Sequence, residues 1–165
     1  MKGGVLQIAH IGLGANLADP VRQVQQGIRE LAKLPQTRLV RHSSLYRTAP
    51  AGEPDQPEFV NAVAVLDTTL SPRQLLEELL ALEARHGRVR SKPNGPRTLD
   101  LDLLLLGSQV INEPGLEVPH PRMHQRAFVL VPLVEVTPEA LIPGHGSATE
   151  LAAQLADQPV ARIDD

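Results

Sequence analysis

Two aspartates separated by one residue lie beside a basic segment, and together they form the part of the sequence best suited to chemistry. Asp100 and Asp102 alternate with leucines over residues 98–106, a pattern that predicts a half-buried β-strand. Alternate side chains of a strand share a face, so the two carboxylates would project in the same direction, about 6.6 Å apart along the backbone. Carboxylates at this spacing can bind one hard cation each, or share two cations bridged by a substrate oxygen.

The preceding segment carries four positive charges between prolines and glycines: Arg88, Arg90, Lys92 and Arg97. The planar guanidinium group of arginine suits pairs of phosphate oxygens. A magnesium–polyphosphate substrate requires this combination, because the metal neutralises part of the charge and the arginines follow the charge onto the leaving group. The residues alone favour a magnesium-dependent phosphotransfer site. They leave open a simpler alternative, in which both the aspartates and the basic residues are solvated surface.

The rest of the sequence predicts the elements that must position these residues. Apolar and β-branched runs predict strands at 5–13, 39–46, 59–66 and 98–106, a hairpin at 110–118, partly helical structure over 122–136 and a last helix at 148–156. The first strand is expected to run into a turn at Gly12 and Gly14. Helix starts are predicted where Asp19 precedes Pro20 and where Ser71 opens a capping box. The order β-α-β-β-α-β predicts an α+β fold, a ferredoxin-like sandwich with a mostly antiparallel sheet, three αβα layers and C-terminal additions.

Length, composition and charge exclude several classes of protein. The 165 residues fit one domain, 1–165. The absence of cysteine excludes disulfides, zinc–thiolate sites, iron–sulfur clusters and thiol catalysis. The net charge of −3 argues against nucleic acid as a partner, and no apolar run approaches the ~20 residues of a membrane span. We therefore expect a cytoplasmic protein with neither a nucleic-acid nor a membrane partner.

Four collinear segments carry a resemblance to a known family. The most specific is GPRTLDLDL at 95–103, and the others are GLGANL at 12–17, SSLYRT at 43–48 and VPHPRM at 118–123. In these segments the chain resembles the 6-hydroxymethyl-7,8-dihydropterin pyrophosphokinases of folate biosynthesis. The resemblance implies transfer of the β,γ-diphosphoryl group of ATP to the primary hydroxyl of the pterin, with release of AMP. It also implies ATP as co-substrate and two Mg²⁺ ions, and we expect a monomer.

The resemblance also implies roles for individual residues. Asp100 and Asp102 match the residues that hold the two magnesium ions, and Arg88 and Arg97 match arginines that act on the triphosphate during transfer. The positions that match ATP contacts of the family are Glu83, Arg88, Arg90, Arg97, Leu103, His120 and Arg126. The positions that match pterin contacts are Thr48, Pro50, Ala51, Gly52, Phe59, Asn61 and Phe128.

The chemistry of the pterin agrees with the last of these sets. Phe59 and Phe128 are two of only three aromatic residues, beside Tyr46, and a flat heterocycle packs well against an aromatic face. Asn61 can donate and accept hydrogen bonds at the amide-like edge of the ring. The simpler alternatives place both phenylalanines in the core and Asn61 at a bulge or sheet edge.

Two other functions remain open from the residues alone. A nucleotidyl transferase could use paired aspartates on the same kind of sheet, and it would release pyrophosphate by attack at the α-phosphorus. An RNA-binding module could use the basic segment 88–97, although the predicted strands lack the interleaved aromatic residues on which bases stack.

Overall fold

The computed structural model describes residues 4–49, 57–87 and 98–163, which form ten β-strands, four α-helices and one 3₁₀ helix. The strands are β1 (Gln7–Ala15), β2 (Thr37–His42), β3 (Tyr46–Thr48), β4 (Phe59–Thr68), β5 (Asp100–Leu106), β6 (Ile111–Glu113), β7 (Leu116–Val118), β8 (Leu141–Ile142), β9 (Gly146–Ser147) and β10 (Ala161–Arg162). The helices are α1 (Pro20–Leu31), α2 (Pro72–Arg85), α3 (Ala127–Val136) and α4 (Ala148–Ala153), with the 3₁₀ helix at Met123–Gln125. In the part of the chain that the structure describes, no helix is both long enough and apolar enough to cross a bilayer.

The first two helices begin at the predicted residues. The carboxylate of Asp19 accepts a hydrogen bond from the N–H of Arg22 at 3.4 Å, and Pro20 is the first residue of α1. At α2, the hydroxyl of Ser71 accepts from the N–H of Gln74 at 3.1 Å, and Oε1 of Gln74 accepts from the N–H of Ser71 at 3.0 Å. These caps satisfy N–H groups that the first turn of a helix leaves unpaired, so the predicted helix starts are confirmed.

Six strands form one antiparallel sheet in which β1 lies between β4 and β5. The sheet runs in the order β10-β3-β4-β1-β5, and β2 also pairs with β4. Because β2 and β3 both pair with β4, they occupy one position of the βαββαβ order, and the strands then follow the ferredoxin-like arrangement. The predicted fold class is confirmed, and β6 and β7 form the predicted hairpin.

Helices cover both faces of this sheet and create two apolar cores. The first core lies under α1 and α2 and includes Leu101 and Leu103 of β5, and the second lies under α3 and α4. Side chains alternate between the faces of a strand, so Asp100 and Asp102 lie on the α3 face. The three αβα layers therefore direct both carboxylates to one side of the sheet.

Two strand predictions need correction. The first strand does not turn at Gly12 and Gly14, because both glycines pair with β4 on one side and β5 on the other within β1. The predicted strand 39–46 is two strands, interrupted after His42. At the interruption the Ser43 hydroxyl accepts the N–H of Val63 at 2.9 Å and donates to the carbonyl of Ser44 at 2.6 Å. A side chain therefore replaces one backbone acceptor, while the N–H of Ser43 still donates to the carbonyl of Val63 at 2.8 Å.

His10, which faces the second core from β1, is a buried titratable group. Its Nε2 lies 2.9 Å from Oγ1 of Thr137. Burial, reinforced by the charge of Arg41 and opposed by that of Glu139, lowers the pKa of His10 to about 4. In the unfolded chain the same imidazole has its ordinary pKa of 6.5, so the unfolded state binds more protons between these two values.

We therefore expect the free energy of unfolding to fall as the pH is lowered from about 7 to about 4.5, and His10→Gln to abolish on the order of 2 kcal/mol of that fall. Glutamine can keep a hydrogen bond to Thr137 but does not titrate. Urea unfolding of both proteins at the two pH values measures the difference. If the stability of the variant falls by the same amount as that of the wild type, His10 is not the source.

Candidate active site

Three neighbouring strands of the sheet form the floor of the candidate site. In the ladder, Gly14 of β1 pairs with Asn61 of β4 on one side and with Asp100 of β5 on the other. Two residues earlier in β1, Gly12 pairs with Asp102. The register therefore places an amide and a carboxylate on either side of a glycine, on the face that α3 covers.

The two glycines have no side chains, which leaves space above this floor. A Cβ on Gly14 would lie 2.9 Å from Oδ1 of Asn61, and a Cβ on Gly12 would lie 3.4 Å from the side chain of Leu104. The first distance is too short for any side chain without movement of the amide, so glycine at position 14 is required by the position of Asn61. This gives the glycine motif a role in the floor of the site instead of in a turn.

A cavity of about 460 Å³ opens above the floor. This volume is in the range of small-molecule sites. Seven of the predicted site residues line it: Thr48, Phe59, Asn61, Asp100, Asp102, Arg126 and Phe128. The fold thus brings together residues from β3, β4, β5 and the start of α3 that are far apart in the chain.

The acidic side of the cavity contains a balancing cation. Burial lowers the pKa of Arg126, and the nearby charges of Asp102 and Asp100 oppose that shift. The guanidinium lies 5.5 Å from the centre of the Phe128 ring, so it also contacts an aromatic face. Arg126 can therefore meet an anionic group that approaches the two aspartates.

His120 lies close to the same charges and is neutral at physiological pH. Burial, followed by the charge of Arg126, lowers its pKa to about 4, although Asp100 opposes the shift. Its Nδ1 accepts a hydrogen bond from the backbone N–H of Arg122 at 3.2 Å. A neutral imidazole carries one proton, so the proton is on Nε2, and His120 is a hydrogen-bond donor at that atom.

Asp100 and Asp102 form a set of ligands that suits magnesium. Both are half-buried, line the cavity and offer hard carboxylate oxygens. Within residues 4–49, 57–87 and 98–163, no group of three or more potential metal-ligating side chains is present. Magnesium is commonly bound by one or two carboxylates and completes its coordination with water and substrate phosphates, so the donor set fits this ion.

The opposite side of the cavity presents an amide whose position is fixed by a hydrogen bond. Nδ2 of Asn61 donates to Oγ1 of Thr48 at 3.0 Å, and both side chains are buried. This bond fixes the orientation of the amide and leaves its oxygen beside Gly14. Phe59 and Phe128 line the same cavity from β4 and α3.

Three further predicted site residues that the structure describes are not among those that line the cavity. Glu83 is buried in α2, where its carboxylate accepts the backbone N–H of Leu101 at 2.7 Å. His120 lies beside the acidic side, as described above, and Leu103 packs its side chain into the first core. Six predicted residues lie outside the described residues: Pro50, Ala51, Gly52, Arg88, Arg90 and Arg97.

One wall of the cavity was not predicted. It consists of four residues before β10: Asp157, Gln158, Pro159 and Val160. Gln158 uses both ends of its amide, because Oε1 accepts the N–H of Ala127 at 2.9 Å and Nε2 donates to the carbonyl of Gln125 at 3.1 Å. These two groups flank Arg126, and the first caps α3, which has no side-chain cap of its own. No local pattern in the sequence indicates this long-range contact.

Comparison with known proteins gives consistent matches over most of the chain. The profile of the 7,8-dihydro-6-hydroxymethylpterin-pyrophosphokinase (HPPK) family matches residues 10–138. The chain is 46% identical over 159 residues to a 2-amino-4-hydroxy-6-hydroxymethyldihydropteridine pyrophosphokinase of Pseudomonas aeruginosa, covering 96% of this chain and 98% of the relative. It is 44% identical over 156 residues to the protein of the same name in Haemophilus influenzae, covering 94% and 98%.

A solved structure shares the fold at much lower identity. A variant of Plasmodium falciparum HPPK-DHPS, crystallised with SDX-DHP, superposes with a TM-score of 0.74 and 13% identity over 94% of this chain. This chain spans 46% of the length of that solved chain. At this level of identity the likeness establishes the fold alone.

Proposed function

The chain belongs to the 7,8-dihydro-6-hydroxymethylpterin-pyrophosphokinase family, and we propose that its reaction takes place in the cavity above β4, β1 and β5. It is a pyrophosphokinase of folate biosynthesis, which transfers the diphosphoryl group of ATP to the hydroxymethyl oxygen of 6-hydroxymethyl-7,8-dihydropterin and releases AMP. The observation that carries the location is the row Asn61–Gly14–Asp100. Its ends are two interstrand spacings apart, about 10 Å, which suits a bicyclic ring at one end and its hydroxymethyl arm at the other.

At the acidic end, Asp100 and Asp102 would hold two Mg²⁺ ions together with ATP oxygens and water. When bound, magnesium would neutralise charge on the phosphate oxygens and orient them. Both carboxylates lie on one face of a strand held by the ladder with β1, so their backbone positions are fixed before the substrates arrive. This pre-organisation supports the assignment, since positioning contributes much of the catalysis in phosphoryl transfer.

Cationic and neutral donors would bind the nucleotide beside the aspartates. Arg126 supplies a charge at the cavity wall, and His120 supplies an N–H at Nε2 without adding a charge. Leu103 can contribute only its main chain, because its side chain is in the first core. Glu83 would support the site from behind β5 by holding the N–H of Leu101. The remaining ATP contacts are proposed from the resemblance alone: Arg88, Arg90 and Arg97.

At the other end of the cavity, Asn61 would recognise the amide-like edge of the pterin. Its Nδ2 is held by Thr48, so the free hydrogen-bonding capacity of the amide has a fixed direction. Phe59 and Phe128 would contact the faces of the ring. The resemblance adds Pro50, Ala51 and Gly52 to this set.

The proposed displacement needs no general base from the protein. The hydroxymethyl oxygen forms a bond to the β-phosphorus while the bond from that phosphorus to the α–β bridging oxygen breaks. AMP departs with the bridging oxygen, and the hydroxyl proton passes to solvent water as the new bond forms. A loose transition state needs little prior deprotonation of the alcohol, so positioning and charge neutralisation are sufficient. We propose a single-domain enzyme, since 165 residues fit one domain, and one that acts as a monomer.

A nucleotide product assay tests the reaction and its metal requirement. We expect purified protein with ATP, magnesium and reduced hydroxymethylpterin to form AMP only when the pterin is present, and removal of divalent metal with a chelator to stop turnover until magnesium is restored. Anion-exchange chromatography separates the products. ADP would indicate transfer of a single phosphoryl group, AMP with free pyrophosphate would indicate nucleotidyl transfer, and turnover unaffected by the chelator would contradict the magnesium site.

A further inference from the structure

The strand that carries Thr48 is short and lies near an edge of the sheet. β3 has three residues and pairs on one side with β4 and on the other with β10, which has only two residues. Few ladder hydrogen bonds can hold such a strand, so its position depends on other contacts. That position matters because Thr48 holds the amide of Asn61.

Glu135, in the last turn of α3, makes several such contacts. One carboxylate oxygen accepts the hydroxyl of Tyr46 at 2.6 Å and the N–H of Ser44 at 3.0 Å. The other accepts the hydroxyl of Ser44 at 2.9 Å and the same N–H at 3.1 Å. A single side chain thus accepts hydrogen bonds from one backbone donor and two side-chain donors at the start of β3. Hydrogen bonds to a charged acceptor are the stronger kind.

The same helix carries cavity residues at its other end. Phe128 lies in the first turn of α3, and Arg126 immediately precedes the helix. Glu135 therefore connects the helix that supplies one wall of the cavity to the strand that supplies another. Tyr46 and Thr48 are two residues apart in β3, so they share the face that is directed towards α3.

We propose that Glu135 is a positioning residue for pterin binding, holding β3 against α3 so that Thr48 orients Asn61. This rests on the proposed location of the pterin.

The hydrogen bond between Tyr46 and Glu135 is retained across the neutral pH range. Burial and the hydrogen bond to Glu135 raise the pKa of Tyr46 to about 12. Burial would raise the pKa of Glu135, but the hydrogen bonds from Tyr46 and Ser44 outweigh it and lower that pKa overall.

The test separates the two substrates. We expect Glu135→Gln to raise the KM for the pterin about ten-fold, with kcat and the KM for ATP changed by less than roughly two-fold. We expect Tyr46→Phe, which removes one hydrogen bond and little volume, to raise the same KM by a smaller factor. The double variant should show less than the product of the two effects, because both changes act on the same hydrogen bond between Tyr46 and residue 135. Steady-state kinetics with each substrate varied in turn measure these values.

Glu113→Gln is the matched control, because Glu113 pairs with Arg73 at 2.9 Å outside the cavity. A purely structural role for Glu135 would lower the thermal midpoint and raise both KM values together, and that outcome overturns the proposal. Unchanged kinetics in both Glu135→Gln and Tyr46→Phe overturn it as well. Failure of the site assignment is distinguishable, because in that case Asn61→Leu would also leave the KM for the pterin unchanged.

Discussion

Asp102→Asn is expected to reduce the rate of AMP formation roughly 10³-fold or more while the protein remains folded. The substitution keeps the size of the side chain and removes its negative charge. Asp102 lies on the cavity face of β5 and belongs to neither apolar core, so the fold does not depend on packing around it. A neutral amide is a much poorer ligand for magnesium than a carboxylate, and it leaves the guanidinium of Arg126 without one of its two balancing charges.

Three measurements distinguish a metal-site effect from general damage. The rate of AMP formation gives turnover, calorimetric titration gives the affinity for magnesium–ATP, and a circular dichroism melt gives stability. Asp67→Asn is the matched control, because Asp67 is paired with the exposed Arg38 at 2.7 Å and lies away from the cavity. A variant at position 102 with turnover within about ten-fold of the wild type would exclude this carboxylate from the metal site.

The fold was predictable where the determinants are local. The capping residues at Asp19 and Ser71 specify helix starts within a few residues of sequence, and alternation specifies that Asp100 and Asp102 share a face. The break after His42 was not predictable in this way. It depends on the hydroxyl of Ser43, between β2 and β3, accepting a hydrogen bond from the N–H of Val63 in β4, a long-range contact that no local pattern in the sequence indicates.

The candidate site shows the same division. The aspartate pair and the three aromatic residues limit the possible chemistry, and the resemblance selected Thr48 and Asn61, which do line the cavity. The wall from 157 to 160 could not be found, because Gln158 acts on backbone groups about thirty residues earlier in the chain. Such side-chain-to-backbone contacts impose little pattern on the sequence around either partner.

The register of the sheet explains how a few residues of three neighbouring strands can form both ends of the candidate site. Gly14 in the central strand leaves room for the amide of Asn61 on one side and pairs with Asp100 on the other, so the proposed recognition of the ring and the proposed binding of the polyphosphate would occur on one surface. The proposed recognition of the pterin at β4 and the proposed binding of metal and phosphate at β5 should then be separable by mutation, since each depends on different side chains.

Asn61→Leu is expected to lower kcat/KM for the pterin by roughly 10²- to 10³-fold, because it leaves the polar edge of the bound ring without a partner. The change also removes the donor to Thr48 Oγ1, so a second buried polar group loses its hydrogen bond. The KM for ATP should change by less than about two-fold, since the phosphates are proposed to bind at the opposite end of the row. Steady-state kinetics and direct titration with each substrate measure the two effects separately.

Asn112→Leu serves as the control, because Asn112 is exposed in the β6–β7 hairpin and the change alters the same kind of side chain. Thr48→Val supplies a graded test. It removes the hydroxyl that holds Nδ2 of Asn61, so the amide remains but is no longer oriented, and we expect a loss of about ten-fold in the same kcat/KM. If Asn61→Leu weakens the binding of ATP and of the pterin equally, the amide stabilises the sheet and does not recognise the ring. If it weakens neither, the pterin binds elsewhere, and the separation of recognition at β4 from charge at β5 is wrong.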